Sequence, residues 1–278
     1  MDVLIIGCGY LGRRVAGLWR GQGRHVFATA RHTSASEAGL AEWLVCDVLD
    51  RRFLQDFPKV GTVLYAVGFD RTGGASMRSV YVDGLANVLA HLPPPDKFIY
   101  ISSSSVYGQT GGEWVDEDSP TCPEEESGKI VLDAERVLKA MLPQAVILRF
   151  AGIYGPGRLL RRQAIEKGEP ILADPERWLN LIHVEDGAAA ILAAEQFAQA
   201  GDTINVCDGR PVRRCEFFTL LAQLLGVPKP RFLPPDPALL PLPPHEKSNR
   251  RIGNRKLLEE LHVRLRYPTW REGLEKSI

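Results

Sequence analysis

The first dozen residues constrain this chain more than anything else in it. Val3-Leu4-Ile5-Ile6 is a short unbroken apolar run, followed at once by Gly7-Cys8-Gly9-Tyr10-Leu11-Gly12. A continuous apolar run marks a strand buried on both faces. A GxGxxG turn between such a strand and a helix is the phosphate-binding turn of a dinucleotide fold. In that reading Gly7 permits the tight turn, Gly9 lets backbone approach a pyrophosphate, and Gly12 lets the helix pack close to the strand. Tyr10 and Leu11 belong to the same turn, where free helix amides and the helix dipole favour an anion. A ligand-free strand–helix turn is the plainer alternative.

The pattern continues as alternating strands and helices. A helix over 11–21 leads to a strand at 25–29, a strand at 44–46 ending at Asp47, and a strand at 63–67 ending at Gly68. A helix over 81–89 precedes a strand at 97–101, which runs into four serines, Ser102 to Ser105. A helix over 128–141 precedes a strand at 145–150. This alternation predicts βαβ units, hence an α/β, Rossmann-type doubly wound parallel sheet. Beyond 151 the pattern loosens into a helix at 186–199, a strand at 203–206 and a helix at 214–225. We therefore expect a dinucleotide-binding domain over 1–150. Residues 151–278 should be a smaller, mainly substrate-binding region, with some segments returning to the sheet. Residues 233–244 hold six prolines in twelve positions. Proline donates no amide hydrogen bond, so this stretch reads as an ordered loop of the substrate region, or alternatively as a ligand for a proline-reading domain.

Composition narrows the class. The 34 Lys and Arg balance 34 Asp and Glu in 278 residues, which argues against a nucleic-acid binder. No apolar run approaches the length of a membrane span. The five cysteines, Cys8, Cys46, Cys122, Cys207 and Cys215, are scattered without CxxC spacing, and the six histidines form no HxxxH pair. Neither a disulfide framework nor a metal site is indicated, and a reducing, cytoplasmic setting is expected. The start of the chain lacks the basic segment of a signal peptide. A small-molecule substrate is the expected partner, with a second copy of the chain as the other candidate.

The choice of dinucleotide rests on the end of the second strand. An NAD-preferring site carries an acid there for the ribose hydroxyls. Residues 24–36 contain no acid, and Arg31 stands in that place, followed by His32, Thr33 and Ser34. A guanidinium offers a bidentate partner to a 2′-phosphate, so NADP is favoured over NAD, although Arg31 could also be a solvated surface residue. Asp47 faces the adenine or caps a helix. Ala66, Val67, Gly68 and Ser102 fall at strand ends, where doubly wound sheets bind ligands.

Several further segments carry a family resemblance. Tyr100-Ile-Ser-Ser-Ser-Ser-Val-Tyr-Gly108, Leu148-Arg-Phe-Ala-Gly-Ile-Tyr-Gly-Pro-Gly-Arg158, Leu181-Ile-His-Val-Glu-Asp186 and Ile204-Asn-Val-Cys-Asp208 resemble elements of the extended short-chain dehydrogenase/reductases, the NAD-dependent epimerase/dehydratase group. They occur in the same order and spacing. Ser127-Gly-Lys-Ile-Val-Leu-Asp-Ala-Glu135 looks closest to an atypical, YeeZ-like branch.

The resemblance implies residue roles. Ser103 matches the hydroxyl that binds the substrate oxygen, and Lys129 matches the lysine that holds the nicotinamide ribose. The tyrosine expected four residues before that lysine is Glu125. An exposed carboxylate is a poor proton donor compared with a phenol. Glu125 is then either a solvated acid within Glu124-Glu125-Glu126 or, with Glu126, a buried general base. Tyr107 or Tyr154 could supply a phenol from a neighbouring loop. Arg149 reads as functional or as a buried structural arginine. His183 with Asp186 reads as structural, and Arg158 with Arg161 and Arg162 as a phosphate site or a solvated helix start. The sequence thus predicts an NADP-preferring oxidoreductase or epimerase acting on a carbonyl or alcohol, which could be nucleotide-sugar-like. The alternative is a redox-silent dinucleotide-binding sensor lacking the tyrosine.

Overall fold

The computed structural model describes residues 1–31, 39–233 and 248–278. The proline-rich stretch 234–244 and the positions His32, Thr33 and Ser34 lie outside the described residues.

Among the described residues the main sheet has seven parallel strands: β1 Val3–Ile6, β2 Val26–Ala30, β3 Glu42–Val45, β4 Thr62–Tyr65, β5 Lys97–Ser103, β6 Val146–Phe150 and β7 Thr203–Val206. Their spatial order is β7-β6-β5-β4-β1-β2-β3. The chain therefore winds outward from β1 through β2 to β3, then crosses back so that β4 pairs with the other side of β1, Val3 opposite Thr62. That reversal opens a crevice at the carboxyl ends of β1 and β4, where such sheets bind ligands.

Successive residues of these strands divide between two cores, as the two-residue period of a strand requires. Val3 and Ile5 enter the core on one face, with Leu64, Ile99 and Leu148. Leu4 and Ile6 enter the other, with Val63, Phe98 and Ile147. The first face is covered by α1 Tyr10–Gly21, which buries Leu11, Val15 and Trp19, and by α4 Val184–Phe197. The second is covered by α2 Gly84–His91 and α3 Glu126–Met141, through Leu85, Val88, Ala134 and Leu138. At about 1.5–3 kcal/mol for each fully buried large apolar side chain, these two layers supply the main stabilisation of the sheet.

Residues beyond 151 do two things. Strand β7 pairs with β6, and Leu257, Leu261 and Val263 join the first core. Around α5 Arg214–Leu224, a separate apolar group forms from Tyr154, Ile171, Phe217, Leu221, Trp270 and Leu274. Among the described residues, no helix is long and apolar enough to cross a membrane.

Candidate functional site

The crevice at the strand ends is a cavity of about 560 Å³, within the range of small-molecule and cofactor sites. Its floor is the glycine turn. Gly7 has φ +86°, and a Cβ there would lie 2.7 Å from the backbone of Val67, so only glycine lets the loops after β1 and β4 approach this closely. Gly7 N–H donates to Thr29 Oγ1 at 3.1 Å, which ties the turn to β2. A Cβ on Gly12 would sit 3.2 Å from Ile5 Cγ2, so α1 packs against β1 at glycine distance. Gly9 faces open space: among the described residues, no atom beyond its chain neighbours lies within 4 Å of an added Cβ. As the residue preceding α1 it has no side chain to cap the helix, and the first turn of α1 contains no acid. The amides at this helix start are thus left for an anion. The donor set and the clearance at Gly9 fit the pyrophosphate of a dinucleotide.

Every strand-end residue proposed from the sequence to bind cofactor lines this cavity: Gly7 to Gly12 as a turn, Arg31, Asp47, Ala66 to Gly68, and Ser102. Arg31 follows β2, and its Nη2 lies 2.6 Å from Asp70 Oδ2 in the loop after β4. Thr72, through its hydroxyl and backbone N–H, and then Arg31 hold the Asp70 carboxyl down at about 2. Asp47 Oδ1 accepts the Leu49 N–H at 2.9 Å. The short helical turn nearby, Arg51–Phe53, is capped by Asp50, so the capping role expected for Asp47 falls to Asp50, and Asp47 holds a turn at the cavity edge.

Ser103 also lines the cavity, and its hydroxyl accepts the Ser105 N–H at 3.2 Å. Ser102 Oγ donates to Glu135 Oε1 at 2.6 Å. Glu135 is gripped in turn by Arg149, through Nε at 3.0 Å and Nη2 at 2.8 Å. This pair is buried beneath the serines, which places Arg149 in the support of the site. Arg158 lines the cavity from the Gly155–Arg158 turn, with its guanidinium 5.4 Å from the centre of the Tyr10 ring. Arg162 pairs with Glu166 at 2.7 Å.

Three expected catalytic residues are placed elsewhere. Lys129 is exposed and outside the lining, and the α3 residue that faces the cavity is Val131. Two positions on a helix lie about 200° apart, so both cannot face the cavity. The geometry of α3 therefore gives no support to the role expected of Lys129. Glu125 immediately precedes α3, outside the lining, and Glu126 is exposed. Tyr107 is buried, donates to Asn205 Oδ1 at 2.8 Å and accepts from Arg149 Nη1 at 3.1 Å, so its phenol is committed to the support network. Tyr154, the other suggested phenol, donates to the Trp270 carbonyl at 3.3 Å in the C-terminal core. His183 Nδ1 accepts the Glu185 N–H at the start of α4, and burial pushes the imidazole down to about 4. Asp186 accepts the Arg266 and Tyr267 amides. Both residues secure chain segments and lie outside the lining.

Residues that the sequence reading passed over complete the lining: Thr29, Asp70, Tyr81, Tyr100 and Val131. Thr29 lies near the end of β2 and Asp70 in the loop after β4, a signal the sequence could have given, whereas Tyr100 lies in mid-strand and Tyr81 and Val131 lie on helical segments. Cys8 and Cys46 also line the cavity, and burial, with Asp47 beside it, pushes the Cys46 thiol up to about 11, an unreactive state. Among the described residues no cluster of metal-ligating side chains occurs.

The sequence model of the NAD dependent epimerase/dehydratase family matches residues 3–207. Protein YeeZ of Escherichia coli K12 is 33% identical over 244 residues, covering 83% of this chain and 86% of that protein. A 3-diazoavenalumate denitrifying reductase from a Streptomyces species is 26% identical over 309 aligned positions, covering 100% of both chains. UDP-glucuronic acid 4-epimerase from Bacillus cereus, solved in complex with NAD, shares the fold with a TM-score of 0.80 at 19% identity, covering 100% of this chain and 97% of that one.

Proposed function

This chain belongs to the NAD dependent epimerase/dehydratase family of extended short-chain dehydrogenase/reductases, and on that premise we propose that it is an NADP-preferring oxidoreductase or epimerase acting on a carbonyl or alcohol. The observation that carries the cofactor preference is Arg31, which lines the cavity at the end of β2 where an NAD site has an acid. When bound, the nicotinamide supplies or accepts a hydride. The α1 amides and the Gly7–Gly12 turn hold the pyrophosphate, and Arg31 takes the 2′-phosphate as a charge-assisted, two-point contact. Ser103 orients the substrate oxygen. The lobe around α5 and the turn carrying Arg158 supply the substrate side, where a guanidinium suits a phosphorylated or nucleotide-linked substrate. Net reduction is favoured over epimerisation by the Streptomyces relative, which is a reductase.

A second reading, a dinucleotide-binding sensor without turnover, is favoured by the placement of Lys129, Glu125 and Tyr107 outside the lining. Fluorescence titration with NADPH and NADH, followed by a screen of carbonyl and nucleotide-sugar compounds for cofactor oxidation, separates the two. The enzyme reading expects tighter NADPH binding and turnover on some carbonyl. Tight binding with no turnover across the screen supports the sensor.

A further inference from the structure

The lining leaves one phenol free to act. Before α2, residues Ser79–Asp83 form a π-type turn, a rare irregularity found often at functional sites. Tyr81 stands at its centre, half-buried, and lines the same cavity as Ser102, Ser103 and Val131. Its ring packs on the apolar group that contains Val131 and Val106. The Phe69 backbone N–H donates to the Tyr81 hydroxyl oxygen at 3.2 Å. That bond fixes the phenol, and no acceptor among the described residues takes its proton.

The competing proton donors are engaged or closed off. Tyr10 donates to the Pro156 carbonyl at 3.0 Å. Tyr100 is 3% exposed, and burial drives its phenol far above the ordinary range. The lining carboxylates are spent: Asp47 on the Leu49 amide, Asp70 on Thr72 and Arg31.

We propose that Tyr81 is the general acid of this site, standing in for the tyrosine that the sequence lacks before α3. The assignment rests on the oxidoreductase reading above. A phenol holds its proton at neutral pH, with a reference value of about 10, where an exposed carboxylate does not. As the substrate carbonyl carbon accepts a hydride, the C=O π pair passes to oxygen and that oxygen takes the Tyr81 proton. The phenol O–H bond breaks, and the phenolate regains a proton from water. Ser103 holds the same oxygen, and Val131 keeps the neighbouring wall apolar, which strengthens both contacts.

Tyr81→Phe keeps the ring and removes only the proton. It should lower turnover of a carbonyl probe such as phenanthrenequinone by roughly 10²–10⁴-fold, with NADPH affinity within about twofold of wild type. A readout independent of turnover is carbon NMR of protein labelled at tyrosine Cζ, with the Y81F spectrum identifying the resonance. The Tyr81 resonance should differ between the complexes with oxidised and reduced cofactor, because only the oxidised ring is cationic. Wild-type turnover in Y81F, or a Tyr81 resonance indifferent to cofactor oxidation state, overturns the assignment. If only NADH binds, the NADP preference fails while Tyr81 is still tested in the NADH complex. If neither cofactor binds, the functional reading fails and the assignment with it.

Discussion

Arg31 and Asp70, 39 positions apart in sequence, meet at 2.6 Å across the carboxyl end of β1. Arg31 extends from β2 and Asp70 from the loop after β4, the two strands that flank β1. The contact spans the glycine turn, and Gly73 leaves room for it, since a Cβ there would meet Arg31 Nη1 at 2.8 Å. Both side chains are nearly half exposed, so water and salt screen the pair and it holds Arg31 only weakly. A 2′-phosphate, carrying more charge than a carboxylate and more acceptor oxygens, can therefore take Arg31 from Asp70. Arg31→Asp should weaken NADPH binding by tenfold or more and NADH binding far less, and equal losses would remove the 2′-phosphate argument. Asp70→Asn should strengthen NADPH binding several-fold and leave NADH unchanged, as read by fluorescence titration.

Ser103→Ala separates binding from chemistry. The side chain caps a single short turn and otherwise faces the cavity, so the fold should lose about 1 kcal/mol or less, the scale of one cap. Cofactor affinity should stay nearly intact while turnover disappears. Unchanged turnover would remove the serine from the catalytic account.

Lys129→Ala tests whether the lysine on α3 takes part in cofactor binding. With Lys129 exposed and Val131 in the lining, the substitution should leave NADPH affinity within about twofold and stability within about 0.5 kcal/mol, as for surface positions generally. A tenfold loss of affinity would show that the lysine reaches the cofactor after all.

Asp208 gives a pH signature in stability. Burial, reinforced by Asp186, pushes its carboxyl up to about 7 from an ordinary 3.8. Between those values the folded protein keeps a proton that the unfolded chain has released. The corresponding stability is complete below about pH 4 and is lost as pH rises through 7. The melting temperature of wild type relative to Asp208→Asn should fall from pH 4 to pH 7 and level off above. A difference that stays constant with pH would mean that the carboxyl ionises normally.

Much of the fold is legible because it is written in local patterns. The run Val3–Ile6 and the turn that follows mark their own strand and glycine bend, and Thr203–Val206 and β6 lie within a residue of where the pattern places them. Less legible are elements without a clean period. The strand expected at 44–46 is Glu42–Val45, and the helix expected at 81–89 begins with a π-type turn. In β3 the burial is incomplete, because it is the edge strand and only partly covered, so its apolar residues give a blurred signal.

The same division runs through the site. By itself the sequence determined the doubly wound sheet, the glycine turn and the strand-end positions Arg31, Ala66 to Gly68, Ser102 and Ser103, since strand ends in this topology converge on one crevice. Tertiary structure alone decided that Val131 and not Lys129 meets the cavity, that Tyr107 and Arg149 are bound into a buried network with Glu135, and that Arg31 is held by Asp70. The physical reason is that periodicity tells which residues of a helix share a face, while the rotation of that face toward a cavity is set by packing against other elements. Likewise, a hydrogen-bond partner many positions away in sequence is chosen only when the sheet brings it near.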